Sequence, residues 1–273
     1  MFTKSSRKLI CFLLSLLMVV GLCIFSGATL IRSTLCYQNY MEIFISSEKV
    51  ANYCNTTYNE RIAVLSENSG IPLRVFEAAE NVSGYSETVT SRFYSGSDTT
   101  MFTKDKVETY EKLIKEYLDG NDMQYDENQI HNTAVKAAEI YADSYGMKNL
   151  SVFKAFVDDV IDGYGRISST GLAIVMIAAA LIFVMYSDNK KTLKYYTSSF
   201  TATGLSFVFI GIGALITSVG KSSVITPDIY SDAIFSALNC MFAILIIAGV
   251  MITAVSTVAN LRQNKLTRKT RNK

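Results

Sequence analysis

The chain has 273 residues, 49% of them hydrophobic and 18% charged, with a mean hydropathy of +0.24 and a formal net charge of +2. Two prolines and fifteen glycines exclude collagen-like and Pro/Gly-rich disordered chains. The charge content is too lean for a typical soluble enzyme and the apolar content too high for a solvated tail.

Position matters more than totals. After a basic arm (residues 1–8, with Lys4, Arg7 and Lys8), residues 9–31 form an uncharged apolar run. Crossing a hydrocarbon core takes roughly 20 such residues at helical rise. A secretory h-region is about 7–15 residues long. This run has 23 residues, and Ser26-Gly27-Ala28 is a poor small-x-small site, so the reading is a retained span.

Residues 32–166 have the size of one domain, and their punctuation predicts helices. Tyr37, Phe44, Ala51, Tyr58 and Leu65 recur every seven residues, predicting one long helix over 37–65 that continues the first span. Gly70 is a stop, and Pro72 opens a second helix carrying Phe76, Ala79, Val82, Val89 and Phe93, with a break at Gly84. A strand over 86–95 is the alternative there, but Ser91 spoils its apolar face. Val107, Tyr110, Leu113, Ile114, Tyr117 and Leu118 mark a third helix closed by Gly120. Ile130, Ala134, Ala137, Ala138, Tyr141 and Tyr145 mark a fourth, stopped at Gly146. A fifth starts near Ser151, and Gly163 and Gly165 predict a hinge before the next span.

Further uncharged runs occupy 167–186, 200–219 and 233–259. They are apolar all round, unlike an amphipathic core helix. The arm 1–8, the loop 187–199 and the tail 260–273 together hold twelve basic residues and one acidic residue. Residues 32–166 and 220–232 hold fourteen basic and twenty-three acidic. Short basic connections stay in the cytoplasm. The prediction is cytoplasmic termini, a cytoplasmic loop 187–199, and an extracytoplasmic domain 32–166 with an extracytoplasmic loop 220–232. The fold class expected is all-α: four transmembrane helices with a mainly helical extracytoplasmic domain inserted between the first and second.

Chemistry is sparse. Cys11, Cys23 and Cys240 lie in spans, where cysteine is a small packing residue. Cys36 and Cys54 lie outside; on one unbroken helix they would be about 27 Å apart, beyond disulfide reach, so bridging needs that helix to fold back. His131 is the single histidine, without the converging ligands a zinc site needs. The acidic stretch Asp119, Asn121, Asp122, Asp126, Glu127 fails the EF-hand pattern, because Met123, Gln124 and Ile130 stand where ligand, turn glycine and closing glutamate belong. Asp158 and Asp159 diverge by about 100° on a helix and cannot act as a facing pair. Gly204, Gly211, Gly213 and Gly220, and Ala178 to Ala180, read as close-packing positions between helices, with no following GK[ST]. Most of the twelve outer tyrosines fall on the predicted stripes and read as core. No catalytic, cofactor-binding or metal residue is assigned. The basic tail, next to a span, reads as attracted to lipid headgroups rather than nucleic acid.

Through Ser69-Gly70-Ile71-Pro72-Leu73-Arg74-Val75-Phe76-Glu77 and Lys190-Lys191-Thr192-Leu193-Lys194-Tyr195-Tyr196 into Gly204, the chain resembles a loose group of uncharacterised four-span membrane proteins of Gram-positive bacteria. That resemblance implies a bacterial plasma membrane and carries no activity. The order of spans also resembles the permease subunit of the cell-division ABC transporter family, although the longer cytoplasmic N-terminal segment of that family has no counterpart here.

The functional expectation is a non-enzymatic, cofactor-free surface interaction or sensing protein. Its partners are the lipid bilayer and a protein or ligand of the outer domain. The second reading is a permease-like subunit needing a cytoplasmic ATPase, with residues 190–196 as its docking element. The third is a membrane-associated hydrolase using His131.

Overall fold

The computed structural model describes residues 4–78, 85–97, 99–186, 189–217 and 225–271. Ten helices occur among them, α1 (Lys4–Ser33), α2 (Gln38–Ile45), α3 (Glu48–Ser69), α4 (Leu73–Glu77), α5 (Tyr85–Ser95), α6 (Lys104–Asp119), α7 (Glu127–Tyr145), α8 (Ser151–Met185), α9 (Asn189–Ile216) and α10 (Asp228–Arg271), and no strand. Four of them, α1, α8, α9 and α10, are long and apolar enough to cross a membrane, consistent with a multi-pass membrane protein. The chain divides into two compact units. One is a bundle of residues 1–37, 156–219 and 238–273; the other is a module of residues 38–155 and 220–237.

In the bundle, large apolar side chains point outward: Phe12, Leu16, Ile177, Val184, Phe209, Ile247 and Val255 are all exposed. The contacts inward are small. A Cβ on Gly21 would lie 2.8 Å from the Gly171 carbonyl oxygen, so α1 and α8 touch backbone to backbone. Gly204 and Gly249 do the same for α9 and α10: a Cβ on Gly204 would fall 2.6 Å from the Gly249 oxygen. Hydroxyls add polar ties. Ser15 and Ser199 oxygens are 2.6 Å apart, Thr201 and Ser256 oxygens 2.8 Å, and Thr197 Oγ1 donates to Asn260 Oδ1 at 2.7 Å. Helices in lipid gain little from merging apolar faces, so close packing and such bonds hold them. Met18, Ala178 and Ile182 form a small buried cluster among α1 and α8, with Tyr195 and Tyr196 of α9 against it.

The module is built for burial. Val50, Cys54, Tyr58, Ile62 and Leu65 line one face of α3, and the alanine-rich face of α7 packs against both α3 and α6. Thr103 caps α6 by accepting from Lys106 N at 3.2 Å, and Asp126 caps α7 by accepting from Asn128 N at 2.9 Å. Gly70 ends α3 at φ 70°, a left-handed conformation suited to glycine. Gly146 is required for another reason: a Cβ there would lie 2.3 Å from the Thr100 carbonyl oxygen.

Several expectations are corrected. The helix predicted over 37–65 is separate from the first span and is itself broken once. The Thr34 hydroxyl turns back onto the Leu30 carbonyl at 2.7 Å near the end of α1, and Ser46-Ser47 separates α2 from α3, serine being better at helix ends than inside. The buried face of α3 therefore includes Val50, Cys54 and Ile62 as well as Tyr58 and Leu65, while Tyr37 is exposed. No hinge occurs at Gly163 and Gly165, because α8 runs through both. Glycine lowers helix propensity by only about 1 kcal/mol and does not break a helix held on either side. Most of the predicted loop 187–199 is the start of α9. Residues 86–95 are helical, within α5. Ala79, Val82, Gly84 and Gly220 lie outside the described residues.

Candidate functional site

The polar chemistry of the module gathers where α3, α5, α7 and residues 225–230 meet. Tyr58, Tyr110, Tyr145 and Tyr230 are fully buried, so each phenol oxygen needs a partner. Tyr230 Oη donates to the Tyr145 carbonyl at 2.7 Å, and the Cys54 thiol donates to Tyr230 Oη at 3.7 Å. Tyr145 Oη donates to Asn55 Oδ1 at 2.9 Å. The Tyr58 and Tyr110 oxygens are 2.9 Å apart. With Tyr58 donating onward to the Phe76 carbonyl at 3.5 Å, Tyr110 is the donor between them. The Tyr141 and Tyr85 rings lie 4.8 and 5.3 Å, centroid to centroid, from that of Tyr145. Burial pushes the Cys54 thiol above its ordinary range, with its hydrogen bonding to Tyr230 and Tyr85 acting the other way. Burial, then Cys54, pushes the Tyr85 phenol well up. A thiol held protonated is a poor nucleophile, and this cluster acts as a core.

Residues 225–230 enter the module through Lys148. Its N–H donates to the Thr226 carbonyl at 2.9 Å, and the Thr226 N–H donates back at 3.3 Å. Asn149 Nδ2 donates to Thr226 Oγ1 at 3.4 Å, and Lys49 pairs with Asp232 at 3.0 Å. The Thr226–Pro227 peptide is cis.

The recess suited to a ligand lies at the α6–α7 turn. A cleft of about 150 Å³ is lined by Ser69, Ile71, Leu118, Gln124, Tyr125, Asp126, Gln129, Ile130 and Thr133. The lining combines three aliphatic side chains with two amides, a phenol, two hydroxyls and the Asp126 carboxylate. Small-molecule pockets are roughly 300–1,000 Å³, so this one fits a single side chain or a very small polar ligand. The acidic stretch shapes the turn: Asp119 accepts from Tyr125 Oη at 3.0 Å, which raises the phenol's pKa, and Asp126 caps α7. Asp122 has φ 53°.

The structure does not gather the residues that the sequence singles out. Cys36 belongs to the bundle, where its thiol donates to the Val157 carbonyl at 3.9 Å; Cys54 belongs to the module, and both are free thiols. His131 Nδ1 contacts Glu111 Oε1 across the exposed faces of α7 and α6. Asp158 and Asp159 follow Val157 along α8. Among the described residues no group of three or more His, Cys, Asp and Glu is placed to hold a metal ion. Gly204 and Gly211 sit at helix contacts, whereas Gly213 faces open space. Sequence reasoning missed Tyr230, which lies at the foot of an apolar run. Its available signal was a lone tyrosine three residues after Pro227.

No protein-family model, no curated protein and no solved structure matches the chain.

Proposed function

We propose that the protein keeps both termini in the cytoplasm and carries its module on the outer side of a bacterial plasma membrane, where the module recognises a protein partner or ligand without catalysis. The observation that carries this reading is the pairing of two distant segments. A chain crossing a membrane four times has its first and third inter-span connections on one side, and those connections, 38–155 and 220–237, form one module. The charge pattern supports the direction: the same stretches are net acidic, and the connections on the other side are almost purely basic. The α6–α7 cleft suits insertion of one partner side chain, and the acidic surface favours a partner of basic character.

Impermeant maleimide on intact cells tests the direction. Lys112→Cys is expected to label from outside and Arg262→Cys only after permeabilisation; the reverse pattern overturns it. A photo-crosslinker at position 124 or 129 of the full chain tests recognition. A discrete adduct in whole cells supports it, and no adduct at either position under any growth condition counts against it.

The permease-like reading rests on one feature, the exposed Lys191 and Lys194 on the first turns of α9. Co-purification of an ATPase, lost in Lys191→Glu/Lys194→Glu, would favour that reading.

A further inference from the structure

We propose that a lysine-lined pocket formed by the start of α1, the end of α8 and the start of α9 binds the phosphate of an anionic phospholipid. The pocket measures about 310 Å³ and is lined by Lys8, Tyr186, Lys191, Lys194, Tyr195 and Ser198. Three lysines, two tyrosines and a serine line it, and among the described residues no carboxylate does. That is the donor set a phosphate oxygen cluster requires. The Tyr186 and Tyr195 rings stack with centroids 5.7 Å apart and planes at 21°, forming a rigid wall, and Lys191 Nζ lies 6.0 Å from the Tyr186 ring centre.

Location identifies the phosphate as a lipid's. Lys8 immediately precedes the apolar run of α1, Tyr186 immediately follows α8, and Lys191 and Lys194 lie in the first two turns of α9. Each group thus stands where an apolar run meets water, the depth at which lipid phosphates lie. Phe12, one turn along α1 from Lys8, is 61% exposed, and Val184 near the end of α8 is 77% exposed. These surfaces receive acyl chains while the pocket takes the headgroup. The tyrosines suit the same level, with an apolar ring and a wet hydroxyl. The inference rests on membrane insertion alone. The maleimide and crosslinking experiments above test direction and recognition separately, so this inference and the proposed function fail independently.

Native mass spectrometry of the full-length chain, released from detergent with added phosphatidylglycerol or phosphatidylcholine of matched acyl chains, is the test. Retention of phosphatidylglycerol is expected to exceed that of phosphatidylcholine by on the order of tenfold, as three lysines near an anionic headgroup predict. Lys8→Gln/Lys191→Gln/Lys194→Gln should abolish the preference, the three arginine replacements should keep it, and Lys104→Gln/Lys112→Gln/Lys115→Gln should leave it unchanged. Equal retention of both lipids by the unmodified chain overturns the proposal, a comparison that needs no variant to fold. So does displacement of phosphatidylglycerol by inorganic phosphate at equal concentration, which would make the site one for a soluble anion. Loss of a co-purifying protein, rather than of lipid, in the glutamine variant would make it a protein-docking face and overturn it equally.

Discussion

The bundle and the module are helical for opposite reasons. In the apolar run of α1 the exposed residues include Leu9, Phe12, Leu13 and Leu16, while contacts to neighbouring helices come from Ser15, Met18 and Gly21. In α6 the exposed residues are mostly charged, Lys112 and Glu116 among them, and the contacts come from Val107, Tyr110 and Ile114. Water drives the second arrangement at roughly 25 cal/mol for each Å² of apolar surface removed. Lipid gives no such reward, so the first arrangement relies on close backbone approach and hydroxyl bonds. The side chains that a helix hides therefore report its solvent as clearly as those it shows.

The sharpest way to break this contrast is to empty the module's core. Tyr230→Ala removes a fully buried ring that links residues 225–230 to Tyr145 and Cys54, and should destabilise the module by about 3–5 kcal/mol. Hydrogen exchange on the full chain should show loss of protection in α3, α5 and α7 with the bundle amides unchanged; equal loss in both would erase the distinction. The converse change is Gly204→Val. Its Cβ would meet Thr253 Oγ1 at 2.4 Å and the Gly249 oxygen at 2.6 Å, an overpacking that costs about 1–3 kcal/mol. Loosening should appear in α9 and α10, and leave module exchange unchanged.

Alkali should weaken the module. Cys54 and Tyr85 are held protonated by burial, so the unfolded chain ionises first, near pH 9 for the thiol and pH 10 for the phenol. The folded module then binds more protons than the unfolded one, and its stability falls as pH rises above about 9. A module melting temperature that holds steady below that pH and declines above it is the expected result; Cys54→Ala/Tyr85→Phe should lessen the decline, with buried Tyr230 supplying the remainder.

Much of this was legible because a single physical variable governed it. Four long uncharged runs stand out in any window of the sequence, and α6 and α7 show a clean apolar stripe ended by Gly120 and Gly146. What escaped depends on comparisons between distant residues. Serine at 46 and 47 competes weakly with helix continuation, so a seven-residue repeat running through it misplaces the face of α3. Tyr230 gains its role only when residues 225–230 reach Lys148, almost eighty positions earlier. The hydroxyls of α9 tie helices together only in the fold, where Ser199 meets Ser15 and Thr201 meets Ser256. Gly146 was read as a stop, although its φ of −82° suits any residue; the close Thr100 oxygen is what excludes a side chain.

The finest test sets one polar tie against another across the two solvents. Asp126→Ala removes the cap of α7 and leaves the Asn128 N–H to water, a loss of about 1 kcal/mol. Ser199→Ala removes a buried bond to Ser15 inside the bundle, where intuition expects a larger penalty because no water can replace the partner. Yet Ser199 Oγ also contacts the Tyr195 carbonyl one turn earlier in α9 at 3.0 Å, and a helix pair separated in lipid keeps such fallback bonds to its own backbone. The expected loss is therefore about 0.6 kcal/mol, smaller than that of the exposed cap. Unfolding in mixed micelles would measure Ser199→Ala, and a thermal scan of the module would measure Asp126→Ala. If the serine proved the costlier of the two, hydroxyl bonding rather than close side-chain packing would be the main tie between α1 and α9.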